Sequence, residues 1–386
     1  MPEQAEAEIV LDADGHLCEP PDLWARNLPS HLRDRGPRLI WNESTGYDEL
    51  WIEDRAATDR GLVGLGNAGE TYVNLGQGRH YEDLNPAGFD AGERIKVLDA
   101  EDIDISVMYP GLGLKLGGIL DPELAVWSCR VYNDWLADWC SAAPARLKGA
   151  GALPLQDPVA AAAEARRIRD IGLVAGFARP NPYYERPLHD PIYEPVWAAL
   201  EELALPIGFH ITGTSDMPGA ARQVGQYMAQ GTHHALIPLF DQLMTLSNLV
   251  LGGVLDKHPG LQVIVLECGG GWIGHWMDRM DEFRESYSWI GNLSLLPREY
   301  FARQCWISFD PGERSAEMVG DLYGVADRLV WASDFPHSDA KYPGVVDELR
   351  EHAAGMSPAA RAGLFGRNAC EMYGIPVPDA RLVHRP

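Results

Sequence analysis

The sequence predicts an α/β fold, a single-domain (β/α)8 barrel, and two observations carry that expectation. Short apolar, strand-like runs alternate with segments of helical period, and counting from residue 9 there are eight such strands, each followed by a helix. Residues of metal-ligand type also stand at or just past the carboxyl ends of four of those strands. A barrel gathers such ends at one mouth. The length of 386 residues suits one large barrel, so residues 1–386 are taken as one metal-dependent domain.

The first strand is the apolar run Ile9-Val10-Leu11, continued to residue 13. Residues 21–95 then break the rhythm. They are rich in Gly, Asn, Asp and Trp and read as an insertion that forms a lid or substrate wall at the mouth. The second strand, 103–109, ends in the turn Pro110-Gly111, and 124–142 has helical periodicity with many aromatics. Strand 149–153 precedes helix 157–171, and strand 174–179 precedes a helix over about 190–203. Strand 207–210 leads into a long helical region, 223–255. Strands 263–267, 306–309 and 329–333 precede helices over 272–287, 314–323 and 345–354. The segment 357–386 closes the chain with a helix over 358–373, packed outside the barrel, and a tail.

Composition narrows the function. The net charge of −24 argues against nucleic acid or an anionic membrane as partner. No window approaches the roughly 20 apolar residues of a membrane span. The start Met1-Pro2-Glu3-Gln4 lacks the basic and apolar regions of a signal peptide, so a cytoplasmic location is expected. The six cysteines form no CxxC pair and signal neither a zinc knuckle nor a disulfide framework.

The chemistry is concentrated at the strand ends. Alternate side chains of a strand share a face, so Asp12, Asp14 and His16 are expected to point the same way, with Glu19 in the following loop. His210 ends the fifth strand and Glu267 the sixth, the latter just before Cys268-Gly269-Gly270-Gly271. Ser333-Asp334-Phe335-Pro336-His337 follows the eighth. The expected metal set is Asp14, His16, Glu19, His210, Glu267, Asp334 and His337, with Glu267 and Asp334 also catalytic. Tyr109, Arg179 and Asn181 end or follow strands two and four and are the expected substrate-binding residues. His80, Trp41 and Trp51 are candidate pocket walls, whereas His258 precedes a turn on the opposite face.

With Asp14-Gly15-His16, Glu19-Pro20, Asn133-Asp134-Trp135, Leu153-Pro154-Leu155-Gln156-Asp157, His210, the Gly269-Gly270-Gly271 turn and Ser333-Asp334-Phe335-Pro336-His337, the chain resembles the amidohydrolase superfamily. The likeness is to the branch of aminocarboxymuconate-semialdehyde and resorcylate-type decarboxylases. It implies metal roles for Asp14, His16, His210 and Asp334. It also implies a catalytic histidine at the end of strand six, where this chain has Glu267. Four carboxylates with three imidazoles exceed what one catalytic zinc takes. In that respect the chain resembles the TIM-barrel non-haem diiron monooxygenases, the lineage that acts in platensimycin biosynthesis. That likeness implies two iron ions, dioxygen, an external electron donor and hydroxylation of a bulky acid-derived substrate carried as a coenzyme A thioester. The alternative is a decarboxylase or hydrolase with one zinc or manganese. The chain is compatible with a homo-oligomer.

Overall fold

The computed structural model describes residues 8–44, 46–57, 66–69, 80–181, 183–211, 230–287, 293–338 and 340–383, with the backbone alone at 230–235 and 237. Eight parallel strands form the barrel in the order β1 (Leu11–His16), β5 (Ile105–Tyr109), β6 (Leu147–Ala152), β7 (Ala175–Ala178), β8 (Ile207–Phe209), β9 (Val263–Val265), β10 (Cys305–Phe309) and β11 (Leu329–Trp331). The three remaining strands, β2 (Arg38–Asn42), β3 (Tyr47–Ile52) and β4 (Arg55–Ala56), make a small antiparallel sheet in the insertion after β1. Almost every residue of the barrel strands is buried. Parallel strands covered on both faces need such apolar runs.

Closure between β1 and β11 runs through backbone bonds just past the strand end. Asp334 N–H donates to the Asp14 carbonyl (3.1 Å) and His16 N–H to the Phe335 carbonyl (2.7 Å). Asp12 reinforces the seam by accepting from Ser333 N–H (2.9 Å) and Ser333 Oγ–H (2.8 Å).

The helices start where the sequence provides for them. Asp121-Pro122 and Asp157-Pro158 open the helices Pro122–Cys140 and Pro158–Asp170. In each, the Asp carboxylate accepts from two first-turn amides and proline supplies a preset φ without needing a donor. The expected long helical region appears as Gln230–Leu251 and Val254–Lys257, separated at Gly253, whose φ of 79° is left-handed. Its expected start, 223–229, lies outside the described residues. One helix, Pro297–Gln304, was not expected; it is a short leader that runs straight into β10.

Strand β1 departs from simple alternation. It extends to His16, and its pairing with β5 shifts between Asp12↔Ser106 and Gly15↔Met108. One extra residue is accommodated there, a β-bulge that reverses side-chain facing along the strand. Asp14 and His16 face the mouth, while Asp12 faces Ser106 Oγ (2.7 Å) and Ser333. The expected alignment of all three is corrected accordingly: Asp12 belongs to the seam.

Candidate metal centre

Two histidines are set by carbonyls beneath them. His16 Nδ1 lies 2.7 Å from the Pro110 carbonyl, and His210 Nδ1 lies 2.7 Å from the Ile211 carbonyl. A carbonyl only accepts, so each Nδ1 carries the proton and each Nε2 presents a lone pair in the neutral ring. Both Nε2 atoms are turned toward carboxylates. His16 Nε2 is 3.5 Å from Asp14 Oδ1 and 3.3 Å from Asp334 Oδ1. His210 Nε2 is 3.2 Å from Asp14 Oδ2 and 3.2 Å from Glu267 Oε2.

Asp14, His16 and His210 are completely buried, and with neutral imidazoles both Asp14 oxygens and both Nε2 atoms lack a hydrogen-bond partner. Buried acceptors left facing one another are costly unless a cation joins them. Asp14, His16 and His210 place one donor atom each within 4.8 Å of one another, and His16, Asp334 and His337 do the same. A divalent ion fits this mixed nitrogen and oxygen set. His337 also stacks on His16, with ring centroids 3.9 Å apart, and holds Asp334 Oδ1 through Nδ1 at 2.7 Å.

The electrostatics agree. Burial, aided by His337 and His210, pushes the His16 pKa well below its ordinary value, so this ring stays neutral. Burial alone would lower His210 too, but Asp14 and Glu267 reverse it and push its pKa up to about 10. Without an ion the positive charge there is a proton on His210 Nε2 facing Asp14 and Glu267; a bound cation would take the proton's place and leave the ring neutral. Glu267 and Asp334 adopt left-handed backbone, with φ of 49° and 57°. Non-glycine residues take up that conformation at a cost of about 1–3 kcal/mol, most often at functional sites.

Other expected residues lie elsewhere. Glu19 is buried, but its carboxylate accepts from the amides of Gly111 (3.1 Å), Leu112 (2.7 Å) and Gly113 (3.0 Å). It anchors the loop after β5 and is not brought to the cluster. A Cβ on Gly111 would come within 2.0 Å of the Leu17 carbonyl, so glycine is required for this approach. Tyr109 is fully buried, its hydroxyl 3.0 Å from Tyr373 Oη and its ring 5.8 Å from that of His210. It supports the site from below. Asn181 is buried and donates to Asp241 (2.8 Å). Arg179 is partly exposed on the rim, over the Tyr183 ring at 4.9 Å. Trp41 is exposed and lies tilted against His80 in the insertion, 4.2 Å between centroids.

The sequence reading missed Arg94. It is buried and donates to the Ala87 carbonyl (2.7 Å) and to the carbonyl of His16 itself. A lone arginine on a short helix carries no signal of this role.

A family model described as amidohydrolase matches residues 80–375. The chain is 25% identical over 326 residues to gamma-resorcylate decarboxylase from Rhodococcus jostii, covering 77% of this chain and 92% of that protein. Its fold is similar to that of an amidohydrolase from Mycobacterium avium subsp. paratuberculosis, with TM-score 0.80, 22% identity and coverage of 95% and 100%. It is also similar to 5-carboxyvanillate decarboxylase from Novosphingobium aromaticivorans, solved as a variant with bound manganese and 3-methoxy-4-hydroxy-5-nitrobenzoic acid, with TM-score 0.70, 21% identity and coverage of 96% and 98%.

These likenesses correct the reaction expected from the carboxylate count. The curated relatives are decarboxylases, so the diiron monooxygenase reading is overturned, and the iron pair, dioxygen, electron donor and coenzyme A thioester that it implied find no support in these likenesses. One of the four counted carboxylates, Glu19, holds backbone amides instead. Among the described residues, no helix is long and apolar enough to cross a membrane.

Proposed function

This chain belongs to the amidohydrolase family, and from that premise we propose that it is a metal-dependent decarboxylase of a small hydroxylated aromatic acid. Of the alternative, a decarboxylase or hydrolase with one zinc or manganese, the decarboxylase form thus becomes the main reading. One observation supports it above the rest: the buried, mutually facing oxygens of Asp14 and Nε2 atoms of His16 and His210, a donor set that needs a cation. The decarboxylase relatives and the manganese bound by a protein of the same fold support the choice of reaction and ion.

Asp14, His16, His210 and Asp334 would hold the ion. When bound it supplies a Lewis acid that anchors the substrate carboxylate. Decarboxylation exchanges a carbon–carboxylate bond for a carbon–hydrogen bond, so a proton must reach the ring carbon as carbon dioxide leaves. Asp334 is suited to carry that proton, because its carboxyl is partly exposed at the mouth and paired with His337 Nδ1. His337 Nδ1, 2.7 Å from Asp334 Oδ1, would return a proton drawn from solvent to Asp334 after each turnover. Glu267 reaches His210 Nε2 and keeps negative charge beside it. Arg179, on the loop after β7, is proposed to face the substrate's second polar group.

The test is direct. Protein stripped of metal and reloaded with manganese or zinc is offered 2,6-dihydroxybenzoate, 5-carboxyvanillate and related hydroxybenzoates under air and under nitrogen. Release of carbon dioxide at equal rates in both atmospheres, lost on chelation, is expected. Absence of release from every acid in the panel, or a requirement for oxygen, overturns the proposal.

A further inference from the structure

The long helix Gln230–Leu251 follows β8 and packs over the strand ends that carry His210 and Glu267. Its Gln242 is fully buried. One atom, Nε2, donates to two carbonyls, Phe209 O at 2.5 Å and Leu266 O at 3.1 Å. These are the peptide groups that lead directly into His210 and Glu267. Leu266 N–H also donates to Phe209 O (3.1 Å), so the two strand ends and the amide form one small network.

The network stands where the barrel ladder runs out. Phe209 O already accepts from Leu266 N–H and uses its second lone pair on Gln242, while Leu266 O, past the end of β9, also accepts from Gln242; a buried carbonyl left unpaired is unfavourable. Gln242 satisfies both with a single nitrogen and so ties the spacing of the two strand ends. The distance that depends on it is that between His210 Nε2 and Glu267 Oε2, 3.2 Å. Gln242 Oε1 is buried and has no hydrogen-bond partner among the described residues. The side chain is therefore placed by its donor end, toward the two carbonyls.

We infer that Gln242 is a positioning residue for the metal centre: it sets the relation of His210 to Glu267 and so tunes metal affinity. This rests on the reading of His210 as a metal ligand. A merely structural role has an internal control in the same chain. Gln304, also buried, donates through Nε2 to the carbonyls of His258 (2.8 Å) and Leu261 (2.9 Å), bridging chain segments at the opposite end of the barrel.

The experiment compares Q242M with Q304M in the full chain. Methionine keeps length and volume and removes the donor. Manganese affinity is measured by paramagnetic resonance titration, cobalt-loaded protein gives a visible spectrum, and thermal unfolding of metal-free protein reports stability. Both variants are expected to lower the melting temperature. Only Q242M is expected to weaken manganese binding, by about 10–100-fold, the usual effect of removing a partner that orients a ligand, and to alter the cobalt spectrum. Should Q242M not fold, Q242N, one methylene short, is read in the same way with a smaller loss. Wild-type metal affinity and spectrum in the folded Q242 variant overturn the inference. Absence of metal binding by the wild-type chain overturns the reading beneath it as well.

Discussion

Asp14 ties the site together, one oxygen toward His16 and the other toward His210. Its place, with those of His16, His210 and Asp334, was legible because each stands at a strand's carboxyl end, a position that a barrel converts into nearness. Glu19 was not separable from them by residue type; only the folded loop shows three amides converging on it. Glu267 is the residue on which the choice between one ion and two turned. Replacing it with Gln preserves shape and removes charge. Elemental analysis at saturating metal should find one ion per chain in wild type and in E267Q alike, while decarboxylation falls about 10–100-fold, the usual effect of removing a partner that orients a metal ligand. A wild-type content of two ions that drops to one in the variant would contradict the assignment.

At the scale of elements, the strand and helix alternation was readable because parallel strands are continuous apolar runs and helices start at Asp-Pro pairs. The bulge in β1 was not, since counting by twos presumes that no residue is added. The loop over residues 111–113 offers a test of Glu19. Burial pushes its pKa up to about 7 from an ordinary 4.5, although its amide partners pull the other way. The folded chain then binds that proton more tightly than the unfolded chain. The contribution to stability is complete below about pH 4.5 and declines as pH rises toward 7, by up to about 3 kcal/mol. E19Q leaves amides poorly matched and should cost roughly 1–3 kcal/mol at pH 5 by denaturant titration. The gap to wild type should narrow at pH 8, with metal content unchanged. A gap that widens with pH, or loss of the ion, would show that Glu19 acts otherwise.

For the molecule as a whole, the seam is the decisive place. The first and last barrel strands meet through two backbone bonds and the Asp12–Ser333 pair, at the same level as the metal-type residues. His16 extends from one side of that seam and Asp334 from the other, 3.3 Å apart. An ion held by both would stitch the barrel shut, with His210 joining from β8 on the far wall. Binding to the folded chain alone stabilises it by about 2.7 kcal/mol when the ion is at a hundred times its dissociation constant. For a domain of this size that corresponds to a melting shift of about 3 °C. Chelation should therefore lower the melting temperature by that order, and manganese should restore it. Because the ligands straddle the seam, hydrogen exchange in the chelated protein should quicken first in β1 and β11, ahead of β6 and β7. Equal melting with and without chelator would separate the ion from barrel closure. Exchange that quickens uniformly would place its effect on the whole fold instead of on the seam.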